Sequence, residues 1–237
     1  TNPQPPRQET LDRSRRAAWA GDYDAALAAL DSVIDVRPDE TELLEERARV
    51  LAWAERWEEA AAALAEATDT ADTEAVLERA RYLWWGSRPL EADSLLSSLL
   101  EREPGLEAAL ALQDEIRPGI DPSVEVAQRW VAERPDDAQT RLWLARALVE
   151  AGRPEDALPH YRRALTGEGA VSPDVLLEAA GVALGVDALH FAAEHFRRYL
   201  DEVDPYDRDV RLRLARTLAW SARWTEAEAR YREALTA

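Results

Sequence analysis

Gly21-Asp22-Tyr23-Asp24-Ala25-Ala26 returns along the chain as Glu55-Arg56-Trp57-Glu58-Glu59-Ala60, and again at Ser87–Ala92, Gly152–Ala157 and Ala222–Ala227. The small residue closing each hexad falls at Ala26, Ala60, Ala92, Ser123, Ala157, Ala192 and Ala227, at intervals of 31 to 35 residues. A second small residue stands twelve positions earlier each time, at Ser14, Ala48, Ala80, Ala111, Ala145, Ala180 and Ala215. Two registers that keep step over seven units mark a repeat protein.

Each unit reads as two amphipathic helices joined by a tight turn. Apolar residues recur three and four apart, as in Leu142, Ala145, Leu148 and Val149. Small residues stand where helices must cross closely. Gly21 and Gly152 supply turns in which a positive φ is cheap, and Pro38, Pro104, Pro135 and Pro205 fall between units. One hairpin exposes too much apolar surface to stand alone, and the next hairpin buries it.

Leu144-Ala145-Arg146-Ala147-Leu148, then Gly152-Arg153-Pro154-Glu155-Asp156-Ala157, then Tyr161 and Ala164, resembles the tetratricopeptide repeat, a helix–turn–helix of 34 residues. The resemblance implies an all-α, right-handed α-solenoid of about seven hairpins whose first helices line a concave face. The units are read as 7–40, 41–72, 73–103, 104–137, 138–172, 173–207 and 208–237, after an extended tail or linker over residues 1–8. It further implies a non-catalytic scaffold for protein–protein recognition. Unit four departs most, with Ser123 as its small residue and Trp130 where alanine is usual. Unit six carries Gly181 and Gly185 in its first helix. A finer likeness, carried by Arg47–Ala60 and Leu214–Ala227, is to repeats of bacterial cell-envelope proteins, including exopolysaccharide export systems. It implies a periplasmic or envelope location, with a glycan-contacting module as the alternative function.

The residue after the first small residue is arginine in five units: Arg15, Arg49, Arg81, Arg146 and Arg216. Four positions on stands Trp19, Trp53, Trp85 or Trp220, on the same helix face. These nine residues are the candidate binding site. Read as a groove, the arginines offer planar forks to carboxylates and the tryptophans flat apolar platforms. A peptide with acidic or aromatic residues, or an anionic polysaccharide, would suit them. Read as internal structure, the arginines pair with acids such as Glu45, Glu46 or Glu78 and hold neighbouring repeats in register. Trp57, Trp224, Tyr161, Phe196 and Tyr231 occupy packing positions and are expected in the core.

Composition narrows the function further. The 237 residues carry 29 basic and 47 acidic side chains, a net charge of −18, which disfavours nucleic acid and anionic lipid as partners. Every basic residue is arginine, and there is no cysteine or methionine. Schiff-base lysines, cysteine nucleophiles and thiolate metal sites are therefore excluded. His160, His190 and His195 form no metal-ligand spacing. No cofactor, metal site or catalytic residue is expected, and no segment is apolar enough for membrane insertion. A chain that opens at Thr1 without methionine is expected to be processed or part of a larger protein. Another alternative is then the repeat arm of an enzyme whose catalytic domain lies elsewhere.

Overall fold

The computed structural model describes residues 7–38, 40–67, 72–166 and 172–236. Among them the regular structure is entirely helical: fourteen α-helices and one 3-10 turn. They form two compact units, residues 1–120 and 121–237. The first holds α1 (Arg7–Trp19), α2 (Tyr23–Ile34), α3 (Thr41–Trp53), α4 (Trp57–Ala67), α5 (Thr73–Trp85), α6 (Pro89–Arg102), α7 (Glu107–Ile116) and the 3-10 turn Arg117–Gly119. The second holds α8 (Val124–Glu133), α9 (Ala138–Glu150), α10 (Pro154–Leu165), α11 (Pro173–Gly185), α12 (Leu189–Glu202), α13 (Arg208–Trp220) and α14 (Trp224–Thr236). Residues 1–6 of the expected tail lie outside the described residues, and Arg7 and Gln8 already belong to α1.

Consecutive helices pack as antiparallel hairpins: α1 with α2, α3 with α4, α5 with α6, α9 with α10, α11 with α12 and α13 with α14. Each second helix then packs on the next first helix, as α2 on α3, α4 on α5, α10 on α11 and α12 on α13. The two registers of small residues form these seams. Ser14, Ala48, Ala80, Ala145, Ala180 and Ala215 are buried, as are Ala26, Ala60, Ala92, Ala157, Ala192 and Ala227. A larger side chain at any of them would hold the helices apart.

The six hairpin turns share one backbone device. The residue five before the second small residue has positive φ in every case: Gly21 (+81°), Glu55 (+57°), Ser87 (+62°), Gly152 (+72°), Asp187 (+58°) and Ala222 (+60°). The following N–H reaches back to the last turn of the first helix, as Arg56 to the Leu51 carbonyl at 2.9 Å and Arg153 to Leu148 at 2.8 Å. This left-handed cap satisfies carbonyls that the helix end leaves open. Four hairpins use a side-chain-bearing residue there, at a cost of about 1 kcal/mol or more each relative to glycine.

Unit four is built differently. Arg117–Gly119 forms a 3-10 turn, and Pro118 and Pro122 prevent a tight helical hairpin. Ser123 is not the mid-helix small residue expected of it. Its side chain accepts from the Val126 N–H and caps α8, and the buried small residue is Ala127. Trp130 lies fully buried, edge-on to Trp143 with ring centroids 5.0 Å apart. On the first unit's side, α6 and the 3-10 turn share a buried polar cluster. Arg117 Nε donates to Asp93 Oδ1 at 2.6 Å, and Gln113 bridges Asp93 and Ser97.

Candidate functional site

Arg15 and Arg146 obey one rule. Arg15 on α1 makes a two-pronged contact with Glu46 on α3, Nε to Oε1 at 2.9 Å and Nη2 to Oε2 at 3.1 Å. Arg146 on α9 grips Glu178 on α11 in the same way, at 2.9 and 2.8 Å. In both cases the arginine follows the first small residue of its unit, and the glutamate stands two before that of the next unit. A fork-to-fork contact fixes register as well as attraction. Tyr161 adds a third bond, its hydroxyl donating to Glu178 Oε1 at 2.5 Å. Burial pushes the Glu178 carboxyl up, but Arg146 and Tyr161 outweigh it and hold it below the usual carboxylate range. The Tyr161 hydroxyl is pushed up, first by burial and then by its bond to Glu178.

The rule lapses at the other three arginines. Arg49 turns back to Glu46 in its own helix. The acid it would reach in the next unit, Glu78, accepts instead from the Tyr82 hydroxyl at 2.6 Å. By sequence register the position Arg81 would reach in unit four is Ala109, although Ala111, the small residue expected to set that register, is exposed in the structure; Arg216 stands in the last of the units read above. Both are exposed, and among the described residues no acid pairs with either.

Among the described residues, the candidate arginines Arg15, Arg49, Arg81, Arg146 and Arg216 do not stack on the candidate tryptophans. Cation–π contacts instead include Arg162 over Phe191 and Arg211 over Tyr206, each at 5.5 Å. The tryptophans make ring contacts with other aromatics. Trp57, at the start of α4, lies 5.0 Å from Trp85 and 6.1 Å from Tyr82, both on α5. Trp57 packs on α5 but is half-buried, short of the core placement expected of it. Trp224, at the same position of the last unit, is 68% exposed, and Tyr231 is only half-buried. Both depart from the expected core placement, because among the described residues no helix packs over them as α5 packs over Trp57. Tyr161 and Phe196 are fully buried.

Four of the nine candidate residues meet at one place. Arg49, Trp53, Arg81 and Trp85 line a cavity of about 350 Å³ with Trp57, Glu78 and Tyr82. Its floor is the aromatic cluster, and its rim carries two guanidinium groups. Arg15 and Trp19 line a second, more open cavity of about 590 Å³ with Asp12 and Arg16. Trp19 is 87% exposed there. Arg146, Arg216 and Trp220 belong to the second unit.

Sequence reasoning missed Asp93, Gln113 and Arg117, because polar and charged residues far apart in the chain read as surface. Among the described residues there is no cluster of metal-binding side chains, and no helix is long and apolar enough to cross a membrane.

The family model described as tetratricopeptide repeat matches residues 11–76 and 123–173. Residues 11–76 and 123–173 are tetratricopeptide repeats. Repeats of this family are generally non-catalytic scaffolds of protein–protein interaction. The chain is also similar to solved structures. The MamA protein is 13% identical, over 97% of this chain and 90% of that one, with a TM-score of 0.37. The TPR2AB domain of yeast Sti1, in complex with pHSP90, is 12% identical over 97% and 89%, with a TM-score of 0.48. A thermophilic tetratricopeptide protein from Thermus thermophilus is 19% identical over 90% and 98%, with a TM-score of 0.34. No curated protein matches the sequence at a significant level.

Proposed function

We propose that this repeat protein is a scaffold that holds an extended peptide at the junction of α3, α4 and α5. An acidic side chain of the peptide sits on Arg81, beside the Arg49–Glu46 pair, and a neighbouring aromatic or apolar side chain lies on Trp53 and Trp85. One observation carries the reading: Arg81 is an exposed guanidinium with no acid of its own, on the rim of an aromatic cavity of about 350 Å³. Arg15 and Arg146 are spent on Glu46 and Glu178, so this junction has the freest charge among the ladder residues of the first unit. The net charge of −18 argues for a short local contact with the ligand rather than long-range attraction of acidic partners.

The test is a titration of the chain into a labelled, end-capped peptide of alternating glutamate and phenylalanine, followed by anisotropy. Arg81→Glu is expected to weaken binding about tenfold or more, and Trp53→Ala by a similar factor. Equal binding by wild type and Arg81→Glu would remove the site. A uronic acid oligomer is the companion probe. If it saturates the cavity and the peptide does not, the ligand is a sugar and the peptide reading is wrong.

A further inference from the structure

Trp57 and Trp85 wall two cavities that differ in charge. The first, of about 350 Å³, carries Arg49 and Arg81. The second, of about 400 Å³, opens at the turns of the α3–α4 and α5–α6 hairpins, where Glu55, Glu58 and the Arg56–Glu59 pair join the two rings. The rings meet edge-on at 5.0 Å, and Trp85 is 49% exposed. A missing side chain makes room for this corner. A Cβ on Gly86 would stand 3.3 Å from Trp57 Cβ and 3.4 Å from Glu58 Cγ. The φ of Gly86 is −78°, which any residue adopts, and the other five hairpin turns carry alanine, valine or serine at that position. The glycine therefore serves the close approach of Trp57 and Glu58 to the end of α5.

The charge at this corner is unbalanced. Arg56 donates to both oxygens of Glu59, at 2.7 and 2.6 Å, and that pair cancels. Glu55 and Glu58 are exposed, and among the described residues no cation pairs with either. Here α5 ends and α4 begins, and the partial charges of those two helix ends oppose one another. The two carboxylates thus set the sign. No basic side chain of these 237 residues answers them. All 29 basic residues are arginines, every one lies among the described residues, and the lining holds only Arg56 of them. Nor does the opening follow from an end of the sequence, since α1 and α2 precede these two hairpins and α7 follows them.

We infer that Glu55, Glu58, Trp57 and Trp85 form a binding site for the arginine side chain of a peptide ligand. The guanidinium plane lies on an indole face, and its N–H groups donate to the Glu55 and Glu58 carboxylates. A compact ammonium would satisfy the acids and forgo the flat contact. A neutral side chain would forgo the attraction to both acids and rings. The net charge of −18 draws a basic ligand in from a distance, whereas it opposes an acidic one. The site makes no use of Arg81, and the acidic-peptide reading makes no use of Glu55 or Glu58, so either can fail without the other.

The probe is an end-capped pentapeptide with a single arginine among alanines, titrated into the 237-residue chain at about 0.15 M salt to screen diffuse attraction. Heteronuclear NMR of the nine tryptophan indole N–H groups reads the binding. The Trp57 and Trp85 signals, assigned from Trp57→Phe and Trp85→Phe chains, are expected to shift together with a Kd of order 1–10 mM. Glu55→Gln and Glu58→Gln change exposed side chains and leave the core intact. Each should weaken binding about threefold or more. Glu66→Gln, an equal loss of charge at another exposed position of α4, should bind as wild type does. A lysine peptide should bind about threefold more weakly than the arginine peptide. A citrulline peptide, its neutral isostere, should leave both signals in place. Three results would overturn the inference: Trp57 and Trp85 signals unmoved at about 50 mM arginine peptide, equal binding of the lysine or citrulline peptide, or a loss in Glu66→Gln as large as that in Glu58→Gln.

Discussion

The α9–α10 and α13–α14 hairpins carry the same residues at matching positions and put them to different use. Arg146, Tyr161 and Leu165 are covered by α11, whereas Arg216, Tyr231 and Leu235 have no following helix upon them. The environment of a repeat residue is thus set by the neighbouring hairpin as much as by its own. A side chain that is core in one unit is exposed in another, with no change in its own helix. The same holds for Trp57, packed on Tyr82 and Trp85, and Trp224, which is largely exposed.

The sharpest way to break the comparison is to make one substitution in both hairpins. Tyr161→Ala removes a fully buried ring and one of the donors to Glu178, and it should cost about 3–5 kcal/mol in urea unfolding followed by circular dichroism. Tyr231→Ala removes a half-buried ring with no such acceptor, and should cost about 1 kcal/mol or less. Equal costs would mean that the last hairpin is covered in solution, for instance by another molecule.

Trp57 and Trp224 sharpen the same point in smaller steps. Trp57→Ala strips the edge-on contact with Trp85 and part of the junction between α4 and α5, and should cost about 2 kcal/mol. Trp224→Ala should fall within about 0.5 kcal/mol of wild type, as surface changes usually do. Hydrogen exchange on α5 provides the local readout. Its amides should lose protection in Trp57→Ala and keep it in Trp224→Ala.

Much of this architecture is legible in the spacing of small residues, since Ala48, Ala60, Ala145 and Ala157 can only be small for a steric reason. What periodicity could not supply is the fate of residues that depend on a neighbour. Trp224 and Tyr231 fit the core pattern, yet a pattern within one unit does not encode the presence of the next. Unit four slipped because Arg117–Pro122 lengthens its turn, so that Ala127 takes the buried position in place of Ser123. The Asp93–Arg117 pair was hidden for a third reason. Its members stand 24 residues apart, and charged side chains are buried only when fold geometry supplies a partner. Residue types and spacing single out Arg49, Trp53, Arg81 and Trp85, which line one cavity. They could not distinguish Arg81, which is free of acids, from Arg15 and Arg146, which are engaged, because that turns on whether the next unit has glutamate or alanine two before its small residue.

The turns of the same two hairpins separate by a smaller amount. Gly152 and Ala222 occupy one structural position, with φ of +72° and +60°, and each is followed by an N–H that closes the preceding helix. Alanine in this conformation is strained by its Cβ, and glycine is not. Glycine in turn gives the unfolded chain more freedom, which offsets part of the gain. Ala222→Gly should therefore stabilise the chain by about 0.5–1 kcal/mol, and Gly152→Ala should destabilise it by a similar amount. A Cβ at Gly152 meets nothing within 4 Å, so any cost there comes from the backbone alone. Urea midpoints at constant slope measure both. If Gly152→Ala proves neutral, the left-handed turn does not limit the stability of these hairpins. Ala222 would then need no explanation beyond the helix cap that its neighbour Arg223 completes, donating to Leu218 at 2.9 Å.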